Sequence, residues 1–491
     1  MHAGTSPLEY KESHLYNLLF ILKILESVIS PIIIVRNNCY SKRERDPMES
    51  KRPALMSSLF PSVPTPKNQH NVGIVTKTAN GLGDLIFAVR LYHLLLQTGY
   101  KPCFILLDIE EDGKKLQEIF NINKDALFDA WKKLPEFQCY AIGPGVTHVP
   151  TALEMQMKNK DVILFSEYDY FKHLDMLKRQ LASCQYLIAI KTGVSPESKG
   201  VIFEPALLMP RDIPADYDKF NTLEHSTLKK ILLKGHTPSS YPEKRTLFLA
   251  ICSFHPSAHI PILHAAYHAC AERANKKKTD CDLVLINSDK NNIIYWNPVG
   301  YLNSIIPVLK GFYNKFSIYN VDEDKQVAEI QQRGDLQREF RIVVGKRIPN
   351  DDVLKLHLIT GHNFTTVSGD GSLAEVLSKI APFFYIVEGA QYKPEHIKYL
   401  ADLFPALNQV NDLMKEEKYV RAAELIYQNR ILFQDVCEKL RSDKNLRPVI
   451  TKLFEELSNK WNIQLSSSPA PEHPGDAPAI AKEIKGASKT G

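Results

Sequence analysis

"NVGIVTKTANGLGDLIFAVRLYHLL", residues 71–95, sets the architecture expected of this chain. A short apolar run leads into a turn that holds Asn80, Gly81 and Gly83, and a helix-length apolar stretch follows at once. Strand, glycine turn and helix in that order open a βαβ unit, which needs a parallel partner strand. The two glycines permit a tight turn and close backbone approach. The helix is apolar almost all round, so it must be buried and the turn firmly anchored. Asp84 falls at or near the helix N-cap, a place aspartate favours because its carboxylate accepts from free backbone N–H groups. The same place, at the end of a strand, also suits an acid–base group, and the turn alone does not decide between cap and base. Two familiar nucleotide motifs fail here. Ile86 stands where a dinucleotide fingerprint needs its third glycine, and no Gly-Lys-Ser/Thr follows to make a Walker loop.

Working outward, "KPCFILLD" (101–108), "DVILFSEYDY" (161–170) and "CQYLIAI" (184–190) read as further strands, with helical material between them. A proline-rich stretch over 200–245 reads as a connection between domains. The alternation then restarts with "TLFLAICSF" (246–254), a helix near 262–275, "CDLVLINSD" (281–289), "FSIYNV" (316–321), "FRIVVG" (340–345), "FTTVSG" (364–369) and "PFFYIVE" (382–388). Short continuous runs of Val, Ile and Phe fit strands buried on both faces. The expected fold is α/β: two facing Rossmann-like domains, 71–225 and 226–400, then helices over 401–465 and a disordered tail over 466–491. Such a pair sets a cleft between the carboxyl ends of its two sheets, where ligands bind.

Composition narrows the function classes. The 491 residues leave room for two or three domains, and the net charge of +5 is too small to argue for a nucleic-acid binder. The eight cysteines are scattered, with no C-x-x-C pair, so they read as reduced core thiols of a cytoplasmic protein. Residues 1–70 form an extension and linker. Within it, "LYNLLFILKILESVISPIIIV" (15–35) has the length of a membrane segment, but Lys23, Glu26 and Pro31 interrupt it. That pattern favours an interfacial or disordered extension, the former making peripheral membrane contact, over a span, and a start at Met48 or Met56 is a further reading of the extension. The long linker and tails also suit a secreted effector delivered into a host cell.

A second motif carries more chemistry. In "FTTVSGDGSLAEVLSKIAPFFYIVE" (364–388) a strand ends in Ser368, Gly369, Asp370, Gly371 and Ser372, and a helix opens with Leu373, Val376 and Leu377 at core spacing. Free N–H groups at such a helix start attract anions, and the glycines let a diphosphate approach. Glu375, one turn in, can accept from ribose hydroxyls, although Ser372-x-x-Glu375 also matches a capping box. Upstream, Lys346 and Arg347 end a strand, where they either offset a phosphate's charge or form a solvated basic loop. In "SFHPSAHIPILHAAYH" the pairs His255/His259 and His264/His268 have helical spacing. No carboxylate ligand lies nearby, and Pro256 and Pro261 break the helix, so no metal site is expected. A loop offering Ser253 or His255 to the cleft fits better.

With both halves in view, residues 71–460 resemble the GT-B class of nucleotide-sugar glycosyltransferases. The "GLGD" turn is similar to the N-terminal glycine loop of heptosyltransferase-like enzymes and protein-arginine rhamnosyltransferases. The block "KRIPNDDVLKL…FTTVSGDGSLAEVLS" is similar to a GT-B donor site, without a full heptosyltransferase donor signature. The resemblance implies transfer from a nucleotide sugar to a glycan, lipid or protein acceptor, with no cofactor. It implies Asp84 as base, Lys346, Arg347 and the Ser368–Ser372 turn as donor ligands, and Glu375 on the ribose. An inverting reaction without a metal follows, with cations and the helix terminus neutralising the leaving group. Rival readings are an epimerase on the same cleft, a dehydrogenase using Asp108, and a non-catalytic binding protein on a transferase fold.

Overall fold

A computed structural model of the chain describes residues 70–78, 82–184, 186–252, 259–287, 292–334, 336–346, 348–387 and 393–467, all within one compact unit, Ser58–Gly491. The expected segment 15–35 and the tail beyond 467 lie outside the described residues, as do Asn80, Gly81, Ser253, His255 and Arg347.

The apolar runs of the first half form a six-stranded, wholly parallel sheet: β1 (Asn71–Thr76), β2 (Lys101–Leu106), β3 (Leu127–Asp129), β4 (Cys139–Ile142), β5 (Asp161–Phe165) and β6 (Tyr186–Ile190), in the order β3-β2-β1-β4-β5-β6. The order reverses between β1 and β4, which makes their carboxyl ends a ligand-binding switch point. The second half is a seven-stranded sheet of β7 (Arg245–Ile251), β8 (Asp280–Ile286), β9 (Lys315–Asn320), β10 (Lys325–Gln331), β11 (Glu339–Gly345), β12 (Thr365–Val367) and β13 (Phe383–Tyr385). Its order is β10-β9-β11-β8-β7-β12-β13, parallel except for the edge strand β10. Here the reversal lies between β7 and β12. Each half thus has the doubly wound, Rossmann-like topology expected of it. Sequence reading missed three strands. β3 and β4 are very short, and the edge strand β10 ("KQVAEIQ") has one exposed face and few apolar residues.

Seven helices matter for the site: α1 (Gly83–Gln97), α2 (Ile260–Asn275), α3 (Asn350–Thr360), α4 (Asp370–Lys379), α5 (Pro394–Leu403), α6 (Arg430–Asp443) and α7 (Leu446–Ser467). Helix α1 is buried on nearly every side because it lies between the first sheet and α4. Leu85, Phe87 and Leu91 share one core with Val72 and Ile74 of the first sheet and with Leu373, Val376 and Leu377 of α4. The chain then returns to the first half. Val201 pairs with Asn445 ahead of α7, Tyr100 Oη donates to Phe454 O (2.7 Å), and Trp461 Nε1 donates to Asp161 (2.6 Å). Return helices of this kind fasten both domains together. At the amino ends of β7, β8 and β11, Asp282 is held by Arg245, Arg341 and Tyr241. Burial opposes ionisation of Asp282, yet the two guanidiniums outweigh it and hold the carboxyl at about 2. That cluster fastens the end of the sheet remote from the switch point.

Of the described cysteines, Cys139, Cys252, Cys270, Cys281 and Cys437 are buried, and all described cysteines are free thiols. No helix among the described residues is long and apolar enough to cross a membrane.

Candidate functional site at two facing helix starts

The two switch points meet. Helix α1 opens at the carboxyl end of β1 and α4 at the carboxyl end of β12, and their first turns touch. A Cβ added to Gly83 would lie 3.6 Å from Gly371 N, and one added to Gly371 would lie 2.8 Å from Ile86 Cδ1. A side chain at position 371 must displace Ile86, whereas one at 83 would make only ordinary contact, so close approach accounts for Gly371 and not for Gly83.

Asp84 sits near the N-cap as expected, two residues past the cap residue Leu82 and inside the first turn of α1. Its carboxylate lies against the loop after β4, where Gly145 has φ +81° and a Cβ would meet Asp84 Oδ2 at 2.4 Å. Asp84 shares a small cavity with Gly83, Phe87, Arg90, Pro144, Tyr168, Asp370 and Gly371. The sequence-derived base and the sequence-derived anion seat thus come together across the two halves. The cavity measures about 10 Å³, space for about one water.

Helix α4 begins at Asp370 behind an extended Gly369. Ser372 Oγ donates back to Gly369 O (3.1 Å), and Glu375 turns away from the helix start, so the capping box does not form. Glu375 is 2% exposed and spends both oxygens inside the protein: Arg90 Nη2 donates to one (2.9 Å) and His357 Nε2 lies 3.2 Å from the other. Arg90 also donates to Glu204 (3.1 Å) and to Gly371 O (3.3 Å). Burial alone would favour loss of its proton, but Glu204 and Glu375 hold it cationic. Burial lowers the His357 pKa. In this arrangement Glu375 ties α4 to α1 and offers no spare acceptor to a ribose.

Beside the cavity, Lys393 Nζ bridges Asp370 (2.5 Å) and Glu167 (3.0 Å), the latter from the loop after β5. Asp169, two residues on, has φ +52° and accepts from Val194 N, Ser195 N and His396 Nδ1. Burial raises its pKa, but those bonds outweigh it and hold the carboxyl below its ordinary value.

The remaining candidates lie apart. Lys346 directly follows β11, with β8 and β7 between that strand and β12 in the sheet order, and its ammonium stands 4.2 Å from the centre of the Tyr295 ring. Strand spacing puts the ends of β11 and β12 roughly 14 Å apart, so Lys346 and the α4 start do not share the cavity. Ser368 is half-buried at the head of the turn. His264 bonds Thr366 Oγ1, and His268 bonds Tyr313 and Thr279. Burial lowers both histidines to about 3, as befits core residues of α2. Among the described residues no group of three or more His, Cys, Asp or Glu side chains is arranged to hold a metal ion.

Arg90 left a signal that the sequence reading passed over. One charge in the middle of "GDLIFAVRLYHLLLQ" must be paired once that helix is buried. Glu167, Lys393 and His396 left none, because their partners are far away in the chain.

No family model matches the chain, and no curated protein matches it in sequence. Solved structures with a similar course exist at very low identity. An alpha-glucosyltransferase in complex with UDP has 8% identity, with 79% of this chain and 99% of that chain covered and a TM-score of 0.37. A Listeria monocytogenes protein assigned as a UDP-N-acetylglucosamine 2-epimerase has 12% identity, coverage of 79% and 97%, and a TM-score of 0.35. A glycosyltransferase from Rickettsia africae has 11% identity, coverage of 81% and 98%, and a TM-score of 0.31.

Proposed function

We propose that the protein is a glycosyltransferase that moves a sugar from a nucleotide sugar to an acceptor nucleophile, with inversion and without a metal. One observation carries the reading: Asp84, at the switch point of one sheet, and the α4 start, at the switch point of the other, line a single cavity. A diphosphate suits the α4 start, where N–H groups of an unfilled first turn and the helix dipole favour negative charge. Asp84, carried by the opposite half, then takes the proton from the acceptor as it attacks the anomeric carbon. The bond to the diphosphate breaks, and the helix terminus stabilises the departing charge. The cavity is far smaller than a nucleotide sugar, so donor entry requires the two helix starts to separate. Arg90 and Glu375 restore the helix alignment on closing and act as positioning residues.

The test is a thermal-shift panel of UDP, GDP, dTDP and ADP sugars, followed by product analysis with the donor that stabilises the fold. The expected result is stabilisation by one nucleotide class and transfer that persists in EDTA. Donor conversion without any acceptor would replace transfer by epimerisation. Absence of stabilisation by all four, in the wild type and in Asp370→Asn and Glu167→Gln alike, would remove the donor site.

A further inference from the structure

We infer that the donor seat is self-occluded: Asp370 and Glu167 hold Lys393 in place of a diphosphate, and parting of the two halves frees that lysine to bind one. The inference rests on the donor reading above and adds its regulation.

Lys393 is 3% exposed and carries an ion pair on each side. A buried ammonium is costly unless charged oxygens surround it, and here two carboxylates supply them. The two belong to different halves. Glu167 follows β5 of the first sheet, whereas Asp370 opens α4 and Lys393 precedes α5, both in the second half. The cavity between the halves already has Asp370 in its wall.

The geometry has a mechanical consequence. A separation large enough to admit a donor, provided that it also parts the buried His396–Asp169 pair (2.9 Å) tying α5 to the loop after β5, carries Glu167 away from Lys393 while Asp370 keeps its ion pair. Opening therefore removes one negative charge from beside the helix start just as the space for a diphosphate appears. Asp370 stays behind and competes, since its carboxylate claims the same ammonium and repels phosphate oxygens in the first turn of α4. A bound diphosphate must displace Asp370 from Lys393. The exchange moves ion-pair partners only, with no bond made or broken.

This arrangement predicts opposite signs for residues of one cluster. Lys393→Met should weaken diphosphate binding by roughly tenfold or more, the loss expected for one charge-assisted contact. Asp370→Asn and Glu167→Gln should each tighten it several-fold, the first by removing the competitor and the second by loosening the closed state. Calorimetry on the full chain with UDP, GDP, ADP, dTDP and inorganic pyrophosphate reads all three. A purely structural cluster would instead weaken binding on every substitution, and unchanged or weaker binding in both carboxylate variants overturns the inference. Should Lys393→Met fail to fold, the two near-isosteric amide variants still decide it. If the wild type and both amide variants bind none of the five probes, the donor reading itself fails. Wild-type binding with no gain in either amide variant defeats only the occlusion. Binding seen in Asp370→Asn but not in the wild type is its strongest support.

Discussion

The chain contains two glycine-flanked helix starts of similar local pattern, and they are put to different uses. At α1, Asp84 lies against a left-handed glycine of the neighbouring loop, and the residues buried by the helix behind it are apolar except for Arg90. At α4, "SGDG" places Asp370 on Lys393, and the helix behind it buries Glu375, Ser378 and Lys379. One start presents an acid from an apolar support. The other offers N–H groups from a helix whose buried polar side chains bond to its neighbours. A strand-glycine-helix pattern thus fixes where a site forms, while the residues behind the first turn decide what it can do.

The sharpest way to break the comparison is to remove the acid from the first start alone. Asp84→Asn keeps the shape and should cut turnover by about 10²- to 10⁴-fold, the usual share of a general base, with donor affinity nearly unchanged. Steady-state kinetics alongside donor calorimetry checks it. Near-normal turnover would make the two starts equivalent and remove Asp84 as base.

The next largest effect should come from the tie between the helices. Arg90→Met leaves Glu204 and Glu375 buried without their common cation, and breaking a buried pair this way costs about 3–5 kcal/mol. Urea unfolding should show the loss. A change within about 0.5 kcal/mol, the level of an ordinary surface substitution, would mean that water replaces the guanidinium at no cost.

Much of this comparison could be read before any coordinates, and the part that could not has a physical cause. The apolar runs of β1, β5, β8 and β11 are buried on both faces, so their composition announces them. The glycine turns announce the two switch points in the same way. Partner choice is less visible. Ser372 and Glu375 satisfy the local pattern of a capping box, but a buried arginine from another helix offers Glu375 a charged partner, and the stronger interaction wins. Lys346 and Arg347 read as cations for a diphosphate at the α4 start because they, too, follow a strand of the second half. Only the strand order, which puts β8 and β7 between β11 and β12, separates Lys346 from it.

A smaller effect tests how Asp84 is held. Gly145→Ala asks for a side chain at φ +81° and within 2.4 Å of the Asp84 carboxylate. The backbone strain is about 1–2 kcal/mol. The carboxylate must also shift, and a displacement on the ångström scale can lower turnover by about 10- to 100-fold. Kinetics and unfolding together separate the two consequences. Lost stability with intact turnover would show that the precise seat of Asp84 does not matter.

The smallest effect probes the far end of α4 and sharpens the contrast with α1, which buries no lysine. Lys379 is fully buried, its ammonium donates to Thr360 Oγ1 (2.9 Å), and burial brings its pKa down to about 7. The unfolded chain has an ordinary lysine near 10.4. Between those values the unfolded state holds a proton that the folded state has released, so stability rises with pH. It is lost again as pH falls towards 7. Lys379→Met removes the titration, and the difference between wild type and variant should change by about 2–3 kcal/mol between pH 7.5 and 9.5, the wild type gaining as pH rises. Urea midpoints at the two pH values measure it, and groups common to both proteins cancel. A flat difference would mean that Lys379 keeps its proton in the folded state, with Glu375 offsetting the burial. The second helix start would then carry a permanent charge at its far end, in addition to the anion seat proposed at its near one.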